Sequence, residues 1–287
     1  MTIAHKNSPT ATWCLIGDHR SVESRFGLRD CAPTDAGGNR CALPIRPWAR
    51  DGQHRLRVGP LMVLADHILG ELPYLRRPSR TCSLTAELTL DVVGDLSNAE
   101  ALVARAHNVT TGTESLTQCR ITDQDDELLA VGSARCVYIP ATAKDPHADD
   151  SAAPPPLSNS MNIEELLGLE YKHLSDSTEV TLCEPGGWVN GFGIMHGGVS
   201  ACVTEVAASA HIQRANPDLL IAHVQTNFVR PVAVGAPYTA KARAHHVGRS
   251  SAVVEVLGFG GGGELCTVST VTARRPGRHP RSAEHTS

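Results

Sequence analysis

Aromatic residues are scarce in this 287-residue chain: four Phe, three Trp and four Tyr, 4% in all. So few rings argue against a stacking platform for bases or sugars. An excess of either charge is missing too. The net charge is −4 and no basic run is long, which gives no reason to expect a nucleic-acid partner or a polybasic membrane contact. No apolar stretch approaches bilayer length, and Met1–Thr12 holds no apolar signal core. The expected setting is cytoplasmic, with no membrane partner. The nine cysteines (Cys14, Cys31, Cys41, Cys82, Cys119, Cys136, Cys183, Cys202 and Cys266) include no Cys-x-x-Cys and no Cys/His pair at zinc spacing. An odd number without a secretion signal predicts free, mostly buried thiols, no disulfide and no metal.

The material that is present suffices for a core. Hydrophobic residues make up 41% of the chain, enough for one large domain or two ordinary ones. Residues 141–160 carry Pro, Ala, Ser and charge with no apolar period, the composition of a linker. The two flanking halves resemble each other. Ala104-Arg105-Ala106-His107-Asn108-Val109 recurs as Ala242-Arg243-Ala244-His245-His246-Val247, 138 residues on. Glu127-Leu128-Leu129-Ala130-Val131 is echoed by Glu264-Leu265-Cys266-Thr267-Val268, 137 on, and Gly59–Asp66 by Gly198–Glu205, 139 on. Three matches in one order at a near-constant offset read as a duplication.

Each half has the same plan. An apolar segment, 60–72 or 198–214, reads as a buried helix without internal proline. Four alternating stretches follow it: 81–92, 99–109, 114–122 and 127–139 in the first half, and 220–230, 237–247, 250–258 and 264–273 in the second. One more strand is expected before each helix, near 40–46 and 178–183. A helix apolar nearly all round requires a sheet that curves about it, an α+β arrangement. The division is therefore an N-terminal extension (1–38), a first domain (39–140), a linker (141–160), a second domain (161–275) and a polar tail (276–287). Trp13 and Phe26 of the extension are expected to cover a sheet edge or a pocket mouth.

The most informative stretch is residues 190–205. A Gly-rich loop runs into His196-Gly197-Gly198 and then into an apolar helix carrying one carboxylate, Glu205. The first N–H groups of a helix lack intrahelical acceptors, and paired glycines let a ligand oxygen reach them. A carboxylate in an apolar helix is costly unless it has a function or a partner. Together these features suit attack on an activated carbonyl.

With Asn190-x-x-Gly193-x-x-His196-Gly197-Gly198, a carboxylate nine residues beyond the His, Phe228-x-Arg230-Pro231 and Gly248-Arg249-Ser250, the second half resembles the acyl-CoA thioesterases of the PaaI-like type. The first half follows through the repeat with a weaker signature. The resemblance implies two tandem hotdog domains, each a long central helix wrapped by a curved antiparallel sheet. It also implies acyl-CoA as substrate, no cofactor beyond the coenzyme A of that substrate, and a homo-oligomer of such chains.

The family divides its labour across two halves, and this implies a composite site. Asn190 and Gly197 would bind the thioester carbonyl, and Asp66, which aligns with Glu205, would attack it or deprotonate water. Thr81 falls near the family's strand hydroxyl. His196 would fix the loop, and Arg249 and Arg230 are candidates for the coenzyme A phosphates. The opposite site would pair Glu205 and Ser209 with Arg57-Val58-Gly59, where the His-Gly-Gly is lost; it is expected to be degenerate or reduced to binding. Two alternatives stand beside hydrolysis. One is a non-catalytic acyl-CoA binding protein. The other is a hotdog hydratase or dehydratase, whose Asn-Pro-x-His or Pro-Gly-Val-Leu helix starts are absent here.

Overall fold

Two apolar helices lie back to back at the centre of the molecule, and a single continuous sheet wraps both. The computed structural model describes residues 21–140 and 162–276. In the first half the order is α1 (Val22–Phe26), β1 (Arg29–Pro33), β2 (Asn39–Pro44), α2 (Gly59–Arg76), β3 (Thr81–Val92), β4 (Ala101–Thr111), β5 (Glu114–Thr122) and β6 (Leu128–Pro140). The second half repeats it as α3 (Ile163–Leu167), β7 (Leu169–His173), β8 (Thr178–Leu182), α4 (Gly197–Ala215), β9 (Leu220–Phe228), β10 (Tyr238–Val247), β11 (Ser251–Phe259) and β12 (Leu265–Arg274). The strand order is β1-β2-β4-β5-β6-β3-β9-β12-β11-β10-β8-β7, palindromic about the β3–β9 seam. That seam is antiparallel, pairing Glu87 with Asn227 and Asp91 with His223. It joins the halves into one sheet and removes two of the four edges that separate domains would expose.

Alternation builds the sheet. β11 buries every second residue, from Ala252 to Gly258, and turns the others outward. The inward faces close on α2 and α4, whose buried residues run around most of each helix. α2 departs from the expected end at 72, because it passes through Pro73 and continues to Arg76. Proline lacks the N–H that would bond the Leu69 carbonyl. Thr117 of β5 donates its hydroxyl to that carbonyl at 3.1 Å, so the helix continues with its orphaned acceptor satisfied.

The N-terminal segment corrects the reading further. Residues 21–38 belong to the repeat: α1–β1 mirrors α3–β7. Ser21 caps α1 by accepting from Ser24 N–H, and Asn162 caps α3 by accepting from Glu165 N–H. Gly27 and Gly168 end the two helices in the left-handed region, at φ 81° and 66°. Phe26 is fully buried, edge-on to Trp48 and to Trp188, rather than covering an edge or a pocket mouth. Cys31 and Cys41 form a disulfide between β1 and β2, against the expectation of free thiols. The pairing was invisible without β1, which sets the two residues side by side. Trp13, Cys14, the stretch assigned to the linker and the tail beyond Pro276 lie outside the described residues. Among the described residues no helix is long and apolar enough to cross a membrane.

Candidate active site at the junction of the halves

α4 begins against the flank of α2, and the contact is tight because the first two residues of α4 are glycines. A Cβ on Gly198 would lie 2.8 Å from Val63 Cα and 3.0 Å from Asp66 Cβ. With the helices so close, Gly198 N–H donates to Asp66 Oδ2 at 2.6 Å. The other carboxylate oxygen accepts from the Thr85 hydroxyl of β3 at 2.9 Å. Asp66, on a helix of the first half, thus caps the principal helix of the second. A carboxylate there also faces the positive end of the helix dipole.

His196 is the N-cap residue of α4, and its Nδ1 accepts from Gly198 N–H at 3.1 Å. The same nitrogen lies 3.2 Å from Asp66 Oδ2, and Nε2 lies 3.5 Å from Glu23 Oε1 of α1. Glu23 Oε1 is also 3.3 Å from His67 Nδ1, so one carboxylate serves two imidazoles. Burial opposes ionisation of Glu23, but hydrogen bonds and charge from His196 and His67 overcome it and hold its carboxyl well below the usual range. Burial likewise lowers both imidazoles, and it too is outweighed. Glu23 and Asp66 raise His196; Glu23, Glu71 and Asp66 raise His67.

These groups open on a cavity of about 420 Å³. Asp66, Thr85, Asn190, His196 and Gly197 line it, and its wall includes Tyr74, Leu84, Ile139 and Phe228. Asn190 Oδ1 accepts from Phe192 N–H at 2.9 Å and Ile194 N–H at 3.4 Å, folding the Gly-rich loop and leaving Nδ2 as its donor. A Cβ on Gly197 would sit 3.0 and 3.3 Å from the two Asp66 oxygens and 3.3 Å from Phe228 Cζ. A small group bound beside that glycine would therefore touch the carboxylate directly.

The structure brings Asn190, Gly197, His196 and Asp66 together, and Arg230 stands exposed on the cavity lining. It does not bring in Thr81, whose hydroxyl donates to Pro78 O at 2.7 Å at the start of β3. Thr85, further along the same strand, supplies the hydroxyl instead. Arg249 is also displaced: it lies on the β10–β11 turn, away from the cavity, where its carbonyl accepts from Asn216. Glu23, His67 and Thr85 are the site residues that sequence reasoning missed. Glu23 had a signal, because Ser21, Glu23 and Gly27 recur as Asn162, Glu164 and Gly168 at one constant offset.

The pseudo-symmetric position is closed. Glu205 is buried, and Ser209 donates to its Oε1 at 2.6 Å. Arg57 approaches its Oε2 to 3.8 Å and is hydrogen-bonded to Glu164. Burial works against Arg57's charge, but Glu205 and Glu164 together hold its pKa above the ordinary guanidinium value. Burial is also the main cause of a raised Glu205 carboxyl pKa, only partly offset by Arg57 and Ser209. Glu205 lines neither this cavity nor the cleft at Arg57 and Glu164.

Residues 192–267, spanning this helix start and the strands after it, match the family model of the thioesterase superfamily. Solved structures extend the fold likeness to both halves of the double hotdog. The tesB protein of Mycobacterium avium subsp. paratuberculosis is 14% identical with TM-score 0.60, over 83% of this chain and 93% of that one. An Alicyclobacillus acidocaldarius protein of unknown function with a hot dog fold is 12% identical with TM-score 0.59, over 90% and 98%. The acyl-CoA thioesterase II TesB2 of Mycobacterium marinum is 14% identical with TM-score 0.56, over 90% and 100%. At such identities the likeness is one of fold. No curated protein matches the sequence significantly.

Proposed function

We propose that this double hotdog hydrolyses acyl thioesters, with an acyl-CoA as substrate, at the open site between its halves. The observation that carries the reading is the contact between Asp66 of one half and the α4 helix start of the other, on a cavity that also holds Asn190 and Gly197. The superfamily match supports the reaction class.

A thioester carbonyl seated at the first turn of α4 would point its oxygen at Gly197 N–H, with Asn190 Nδ2 as a second donor. Charge developing on that oxygen would be stabilised by both donors and by the helix dipole. The carbonyl carbon, beside Gly197, would lie at near-attack distance from the Asp66 carboxylate. Asp66 attacks that carbon, the C–S bond breaks, and the thiolate leaves and takes a proton from solvent. Water then cleaves the acyl–Asp66 anhydride, giving the free acid and returning the carboxylate. Thr85 holds the carboxylate in orientation through Oδ1. The apolar wall of Leu84, Ile139 and Phe228 suits the acyl chain, and Arg230 suits a phosphate of coenzyme A.

The test is free-thiol release from short, long and aromatic acyl-CoAs. The expected pattern is turnover by the wild type, a loss of about a thousandfold in Asp66→Asn, and a change of no more than about twofold in Glu205→Gln. The reverse pattern would move the chemistry to the second position. Tight acyl-CoA binding without thiol release would make the chain a binding protein.

A further inference from the structure

The two pseudo-equivalent positions share an architecture with one meaningful exchange. In each, a short N-terminal helix offers a Glu, the opposite half's helix start offers a cation, and the central helix offers a second carboxylate. At the closed position these are Glu164, Arg57 and Glu205; at the open one, Glu23, His196 and Asp66. A permanently charged fork is replaced by an imidazole, which has two tautomers and a titratable proton.

The tautomer matters. When Nε2 carries the proton, it points at Glu23, and Nδ1 keeps the lone pair that accepts Gly198 N–H. When Nδ1 carries it, that acceptor is lost, and the N–H points at Asp66 Oδ2, 3.2 Å away. The second arrangement ties up the attacking carboxylate. An acceptor at Nε2 selects between them, as the partner of one imidazole nitrogen generally fixes the state of the other.

We propose that Glu23 is a positioning residue of the open site: by accepting from His196 Nε2–H it keeps Nδ1 as the cap of α4 and leaves Asp66 free to react. This rests on the thioesterase reading for its kinetic consequence, though not for the contact itself. The charged groups facing the pair are Asp66 and His67 of α2 around His196, and His67 around Glu23, with Glu71 beyond His67. Arg25, on the same short helix as Glu23, is directed away and lies over the Trp188 ring at 3.3 Å. Removing the Glu23 charge therefore leaves Asp66 as the anion favouring a protonated His196.

The experiment uses the full chain with ring nitrogens observed by ¹⁵N NMR, His196 being assigned from a His196→Asn spectrum. Glu23→Leu removes both acceptor and charge; Glu23→Gln removes only the charge. In Glu23→Leu, neutral His196 is expected to shift toward the Nδ1–H tautomer, with kcat down roughly 10- to 100-fold and little change in KM. In Glu23→Gln the Nε2–H tautomer and most of kcat should survive. The His196 midpoint and the acid limb of kcat should move together to lower pH. Glu164→Gln, the equivalent change at the closed position, should move neither. An unaltered His196 tautomer in Glu23→Leu, or an unaltered midpoint in Glu23→Gln, overturns the proposal; should the Leu variant fail to fold, the Gln variant decides alone. A wild type that releases no thiol from any thioester defeats the thioesterase reading, and the NMR arms still decide the role of Glu23 on the cap.

Discussion

Arg57 stands toward Glu205 as His196 stands toward Asp66, and this exchange divides the two halves of the protein. Arg57 lies between two carboxylates, with Nε 3.8 Å from Glu205 and its guanidinium bonded to Glu164. A buried cation held between the buried Glu205 and the half-buried Glu164 is hard to remove without leaving uncompensated charge. One of the two pseudo-equivalent positions holds an ion cluster around a buried carboxylate, while at the other the carboxylate opens on the cavity.

Truncating the cluster should therefore cost stability and spare activity. Arg57→Met would leave Glu205 and Glu164 without their cation, and a loss of about 3–5 kcal/mol is expected. Urea unfolding measures that loss. Thiol release per folded molecule should stay within about twofold of wild type, since Arg57 does not line the open cavity. A stable but inactive variant would contradict this division of roles.

Thr85 and Thr81 give a second contrast. Thr85 donates to Asp66 at 2.9 Å, whereas Thr81 donates to Pro78 O. Thr85→Val should lower kcat by roughly 10- to 100-fold, because the carboxylate loses the donor that orients it. Thr81→Val should leave kcat unchanged. Steady-state kinetics on one acyl-CoA suffice, and equal effects of the two changes would remove Thr85 from the site.

That pair also shows what the sequence made legible. Thr81 and Thr85 share a strand face by alternation, so the face was right and the depth was wrong. Depth is set by how the turn after α2 and the bulge between Thr85 and Glu87 seat β3 on the helix. Neither has a period to read. The long helices and the eight strands after them were legible because each repeats its pattern several times. β1, β7, α1 and α3 are five residues each, too short for a period, although their caps repeat. The pairing of Asp66 with the opposite helix start was accessible through the duplication and the family resemblance. Composition and spacing alone pointed only to Glu205.

The two glycines at the start of α4 should separate folding from chemistry. On Gly198 a methyl would meet the Val63 backbone at 2.8 Å, which neither helix can relieve without moving. Gly198→Ala is expected to cost about 1–3 kcal/mol and to abolish turnover. On Gly197 the methyl would meet the Asp66 oxygens at 3.0 and 3.3 Å, at the place assigned to the reacting carbon. Gly197→Ala should unfold close to wild type yet lose activity about a hundredfold or more. Wild-type activity in Gly197→Ala would move the reacting carbon elsewhere.

Buried acids also give the stability a readable pH dependence. Burial is the largest influence on Glu205 and raises its carboxyl pKa; Arg57 and Ser209 offset this only in part. The folded protein then binds a proton more tightly there than the unfolded chain does. The associated stability is complete below the unfolded carboxylate value and is lost as pH rises through the raised folded value. Glu23 has the opposite sign, because His196 and His67 hold its pKa well below the ordinary value. Its contribution is present above the unfolded value and disappears as pH falls through the depressed one. The two windows thus lie on opposite sides of the ordinary carboxylate range. Urea midpoints measured in small pH steps should show, for wild type, a decline on the high side that is missing in Glu205→Gln. The acid-side loss should be retained in Glu205→Gln and weakened in Glu23→Gln. A high-side decline unchanged in Glu205→Gln would mean that Glu205 is ionised in the fold at no cost, with Arg57 compensating its burial in full.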